Sequence, residues 1–111
     1  MARKSTKLVG EVCLYGASGH GFGYIARLEN GRMFGDGELH KSRSCTAAMW
    51  HGLDAIKADT KKGIVRVYLP GGQRMGEVQI ESHWPTIGDM PTWAADYVEI
   101  PMEAVLAAAE R

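Results

Sequence analysis

Ser44-Cys45-Thr46-Ala47-Ala48-Met49-Trp50-His51-Gly52-Leu53-Asp54-Ala55-Ile56-Lys57 is the stretch where the period of this chain changes. Within it Cys45, Met49, Gly52, Leu53 and Ile56 recur at helical spacing and form one apolar stripe. Ala47, Ala48 and Ala55 add helix propensity. Ser42 and Ser44 can each cap the start, because a serine hydroxyl accepts from a free N–H of the first turn. Lys57, Lys61 and Lys62 load the last turn, where cations suit the helix dipole. Gly63 is expected to end the helix as its C-cap.

Before the helix the pattern is that of strands. Leu8 to Tyr15 is β-like, and Gly16-Ala17-Ser18-Gly19-His20-Gly21 follows as a glycine-rich turn. Phe22 to Leu28 alternates, with Phe22, Tyr24, Ala26 and Leu28 on one face and Gly23, Ile25 and Arg27 on the other. Glu29-Asn30-Gly31 is a hairpin signal, since Asn-Gly supplies the two positive-φ positions of a type I′ turn. A third strand is expected from Arg32 to Leu39, weakened by Gly35 and Gly37.

Beyond the helix, Ile64 to Leu69 alternates again, with Val65, Val67 and Leu69 opposed to Ile64, Arg66 and Tyr68. Pro70-Gly71-Gly72 is a turn, and Glu77 to Glu81 a half-solvated strand closing a hairpin. A loop from His83 to Ala95 carries Trp84, Pro85, Pro91 and Trp93. Tyr97 to Ile100 is a short strand, and Pro101 opens a last helix. This order predicts an α+β domain: a mixed sheet with an antiparallel three-stranded meander, a long crossover helix, further strands and a C-terminal helix. Residues 1–7 form a basic flexible arm and residues 8–111 a single domain.

At 111 residues the chain suits one core rather than two. Its net charge is zero, yet residues 1–76 carry twelve Lys/Arg against six Asp/Glu, and residues 77–111 one Arg against seven acids. A basic body and an acidic C-terminal third are a hint of separate binding surfaces. Cys13 and Cys45 form no C-x-x-C, the start does not read as a secretory signal, and no apolar run approaches a membrane span. The expectation is a cytoplasmic protein with two free thiols, no cofactor and no membrane contact.

Leu14-Tyr15-Gly16-Ala17-Ser18, the glycines at 19, 21 and 23, and Tyr24-Ile25-Ala26-Arg27-Leu28 resemble the opening of ribonuclease H-like domains. Thr46 to Ile56 resembles their first helix, and Ile64 to Leu69 the strand after it, so the resemblance covers about Glu11 to Pro70. Nucleases of that family hold two Mg²⁺ ions with carboxylates from the first strand, first helix and fourth strand. The resemblance puts those positions at Gly16, near Cys45 and near Pro70. None is a carboxylate, the oxygen ligand that those positions supply to Mg²⁺ in the family. It therefore implies the fold without the nuclease chemistry. In the family the fourth strand leads to another helix, whereas here a hairpin turn is expected, so residues 71–111 stand outside the resemblance.

Other chemistries have little behind them. The loop at Gly16 to Gly21 lacks the Lys-Ser/Thr ending of a phosphate loop and the third glycine of a dinucleotide loop. His20, His40, His51 and His83 have no metal-ligand spacing. Ser18, His20 and the Asp36/Glu38 pair could serve a divergent enzyme, but a tight turn and a solvated strand face account for them.

Binding is the better expectation. Arg3, Lys4, Lys7, Arg27, Arg32, Lys41 and Arg43, with Tyr24 and Phe34 among them, interleave cations and rings as proteins that hold single-stranded nucleic acid do. The alternative is a protein-binding adaptor or inhibitor that uses Trp84, Trp93 and the acidic C-terminal third. A homodimer through a sheet edge is compatible with either.

Overall fold

The computed structural model describes residues 7–17, 21–35, 44–71 and 94–109. They form β1 (Leu8–Ala17), β2 (Gly21–Leu28), β3 (Met33–Gly35), α1 (Cys45–Lys57), β4 (Ile64–Pro70), β5 (Ala94–Pro101) and α2 (Met102–Ala109). The strands make one sheet in the order β3-β2-β1-β4-β5. β1, β2 and β3 pair antiparallel as the expected meander. β4 then lies parallel to β1, and β5 antiparallel to β4. The architecture is α+β with a mixed sheet and a helix between the meander and the strand that returns beside it.

The two faces of the sheet differ. Alternation sends Val12, Leu14, Ala26, Leu28, Val65 and Val67 to the face covered by the helices, where they meet Ala48, Leu53, Ile56, Met102 and Val105. Cys13, Tyr15, Ile25 and Tyr68 form a smaller buried cluster away from that core. The face assignments read from the alternation of β2 and β4 hold in both strands.

Helix α1 sits close to the sheet because of Gly52. A Cβ there would come within 2.7 Å of Val12 Cγ1 and 3.1 Å of the Tyr24 ring. Ser44 is the N-cap, its hydroxyl accepting from Ala47 N–H at 3.1 Å. Ser42 lies outside the described residues. The C-terminal expectation needs correction: α1 stops at Lys57 with Ala58 as C-cap, six residues short of Gly63. Gly63 instead makes the turn into β4 at φ +105°, where a side chain would strike Val9. Only Lys57 belongs to the last turn, but Lys61 reaches back so that its Nζ donates to the Lys57 carbonyl at 2.6 Å.

The β2–β3 hairpin also differs from expectation. Leu28 N–H donates to Arg32 O and Gly31 N–H to Leu28 O, leaving a three-residue loop, Glu29-Asn30-Gly31. Only Gly31 has positive φ, as in a turn followed by one left-handed residue rather than a type I′ pair. Asn30 Oδ1 accepts from Arg32 N–H at 2.9 Å, which fixes the loop locally.

β5 is longer than the expected Tyr97–Ile100, and Pro101 is its last residue rather than the first of the helix. Met102 N–H donates to Gly63 O at 2.8 Å, tying the start of α2 to the turn before β4. Residues 36–39 of the expected third strand, the strand at Glu77–Glu81 and the loop with Trp84 and Trp93 lie outside the described residues. No helix among the described residues is long and apolar enough to cross a membrane.

Helix propensity alone would make Gly52→Ala stabilising, by about 1 kcal/mol. The contacts with Val12 and Tyr24 predict the opposite sign, a loss of about 1–3 kcal/mol from overpacking. Urea denaturation decides between them: a raised midpoint would show that the helix can move away at no cost.

Candidate functional site

β1 and β4 run parallel, so their C-terminal ends lie together, with the register reaching Cys13 opposite Tyr68. Gly16 belongs to this end of β1. Its φ is +127°, and an added Cβ would collide with the Gly21 carbonyl oxygen and lie 2.8 Å from Phe22 Cα. This backbone position admits no side chain at all. Cys45, the first residue of α1, packs against the apolar core, and burial pushes its thiol pKa up. Pro70 closes β4 opposite Ala94. No group of three or more metal-ligating side chains occurs among the described residues. Ser18, His20, Asp36 and Glu38 lie outside them.

The expected binding residues fall in different places. Arg3, Lys4, Lys41, Arg43, Trp84 and Trp93 are outside the described residues. Phe34 lies in β3, paired with Ala26. Tyr24 is not a surface ring: it is half-buried and packs under α1 beside Gly52. Arg27 is not a surface cation either. It is only 8% exposed, pairs across the strands with Glu11, and has its Nη2 3.7 Å from Met33 Sδ. It lies on a buried strand face rather than on a rim.

Lys7 and Arg32 are exposed and are brought to one end of the sheet. Ile64 N–H donates to Lys7 O at 2.8 Å, so β1 and β4 start side by side. The segment that leaves α1 therefore brings Lys57, Lys61 and Lys62 toward the start of β1. Arg32 reaches the same segment through an ion pair with Asp59 at 2.8 Å. Lys7 pairs with Glu29 at 3.1 Å, and Lys57 with Asp54 at 3.4 Å. Lys7, Arg32 and Lys57 are thus each paired with an acid, Glu29, Asp59 and Asp54 respectively.

A second group went unrecognised in the sequence. Glu11 is 0% exposed in the central strand, and the hydroxyl of buried Tyr68 donates to its Oε2. Arg66 Nη1 donates in turn to the Tyr68 oxygen at 3.4 Å, and its Nη2 pairs with Glu99 at 3.1 Å. The same guanidinium lies 4.5 Å from the centroid of the Tyr97 ring, which also tilts against Tyr68 at 5.8 Å. A chain of polar contacts thereby runs from the centre of the sheet to the surface of β5. The available signal was alternation: Glu11, Cys13 and Tyr15 share a face, as do Arg66 and Tyr68.

Two groups in this region resist ionisation. Burial first, and the Glu11 charge second, push the Cys13 thiol up. Burial, and then the bond to Glu11, push the Tyr68 phenol up. For both, the folded pKa lies above the unfolded one, so their stabilisation is complete below the unfolded values of about 8.5 and about 10. It is lost as pH rises, because the unfolded chain releases protons that the fold retains. Melting temperature should fall above pH about 8.5. Replacing both cysteines by alanine should move the onset toward pH about 10. A flat alkaline profile would contradict this.

Tyr68→Phe removes the hydroxyl donor from the buried Glu11 carboxylate. It should cost about 1–3 kcal/mol by chemical denaturation. A neutral result would mean that the carboxylate is held without it.

Compared with known proteins, the chain matches no family model, no curated protein and no solved structure.

Proposed function

We propose that this chain is a non-catalytic module of ribonuclease H-like topology that binds nucleic acid by its phosphate backbone. The topological part is supported by the meander followed by a helix and a strand parallel to the first, in the order β3-β2-β1-β4. Past Pro70 the chain leaves that plan. A strand–helix–strand crossover delivers a parallel neighbour, whereas β5 is antiparallel to β4. At Gly16, the position corresponding to the family's first-strand carboxylate, the backbone geometry excludes a side chain.

The observation that carries the binding part is the convergence of Lys7, Arg32, Lys57, Lys61 and Lys62 at the end of the sheet where the basic arm begins. Their ion pairs do not close the surface to phosphate, since an exposed pair contributes at most about 1 kcal/mol. Tyr24 is under the helix, so the contact is made with phosphates rather than by stacking of bases. A single strand suits this end because it can bend to bring successive phosphates to lysines a few residues apart. The two free cysteines suit a reducing compartment such as the cytoplasm.

Fluorescence polarisation with a labelled single-stranded oligonucleotide, titrated against salt, tests the proposal. Binding should be strongest at low salt and indifferent to base sequence. The Lys61→Ala, Lys62→Ala double variant should flatten the slope of log K against log salt by about 1.4, at about 0.7 per phosphate contact. No binding at low salt would end the proposal. Equal affinity for duplex would overturn the preference for a single strand.

A further inference from the structure

The outer edge of β5 has a composition that the basic end does not use. β5 is the terminal strand of the sheet among the described residues. Asp96, Tyr97, Val98 and Glu99 are exposed in succession, Tyr97 and Val98 at 41% and 42%. In sequence they read acid, apolar, apolar, acid. The strand puts Tyr97 and Glu99 on one face, opposite Tyr68 and Arg66, and Asp96 and Val98 on the other.

Tyr97 is not a loose surface ring. Arg66 stacks on it while pairing with Glu99, and Tyr68 supports it from the side. An exposed aromatic held in one orientation before contact loses little entropy on binding, as at interface hot spots. The edge is also guarded, since Asp96 Oδ1 accepts from Tyr97 N–H at 2.8 Å and covers a backbone donor with a negative charge.

We propose that the β5 edge docks an extended segment of a protein partner that reads cation–apolar–apolar–cation. Placed beside β5, such a segment sets its two apolar residues against Tyr97 and Val98. Its two cations meet Asp96 and Glu99, one on each face. A lysine or arginine drawn to Asp96 takes that carboxylate away from Tyr97 N–H, which frees the donor for pairing with the incoming main chain. The pattern is the same read in either direction, so a parallel or an antiparallel segment meets the same charges. A second copy of this chain is a poor occupant. Its own edge repeats the spacing with the wrong sign, and symmetric pairing gathers Asp96 and Glu99 of both copies at one seam.

The test uses the whole chain, isotope-labelled, and three synthetic peptides observed by NMR. One carries Lys-Val-Val-Lys between threonines. The second has glutamate for both lysines. The third is the basic peptide with its two valines N-methylated on the backbone. The basic peptide should shift the amides of residues 94–100, and the acidic one should bind about tenfold or more weakly. Asp96→Asn should remove much of that difference. It keeps an acceptor for Tyr97 N–H and lies outside the Arg66 contacts, so its fold is not in question. Tyr97→Ala should weaken the basic peptide further. Equal binding of the basic and acidic peptides, retained binding after N-methylation, or no shift with any peptide would each overturn the proposal.

Discussion

Everything in this structure is arranged around β1. It has β2 on one edge and β4 on the other, and every residue from Val9 to Gly16 is buried. A strand in that position cannot leave a polar group to water, so Glu11 must be satisfied from within the protein. Tyr68 meets it from β4. Arg66 then meets Tyr68, and Glu99 and Tyr97 meet Arg66. One buried carboxylate therefore ties the order of the side chains on three strands, and a register slip in β4 would set Arg66 and Tyr68 on the wrong face.

The same central strand separates the charges. Because β1 and β4 are parallel, their starts meet at one end, where Lys7, Arg32 of the β2–β3 hairpin and the lysines that end and follow α1 gather. Among the described acids of the C-terminal third, Asp96 and Glu99 are carried by β5, on the other side of β4. A chain with no net charge thus presents two surfaces of different character, and opposite kinds of ligand can be addressed by elements that are adjacent in the sheet.

Much of this was legible in the residues, and the exceptions have physical causes. Alternation in β2 and β4 and the stripe of α1 reported faces correctly, because burial on one side imposes a period. The end of α1 was misplaced since Gly63 signals positive φ without saying whether a helix or a strand lies next to it. The hairpin at Asn30-Gly31 was misread because loop length is set by the pairing of Leu28 with Arg32, which local residue preferences do not contain. Arg27 and Tyr24 looked like surface groups because composition reports charge and ring but not the partner opposite. Glu11 was passed over for the converse reason: a carboxylate in a strand reads as solvated until the strand is known to be central. Lys7 and Lys61 were far apart in the chain and became neighbours only through the return of β4.

That return also governs how the chain must come together. The β1–β2 and β2–β3 pairings join residues close in sequence, but Leu8 meets Ile64 only after more than half the chain is available. Closing so long a loop is slow relative to forming a hairpin. During synthesis the meander and α1 are complete while the second edge of β1 is still open, with its backbone donors and acceptors unpaired beside apolar side chains. Until β4 arrives, the most buried strand of the native protein is the one most exposed to association with other chains.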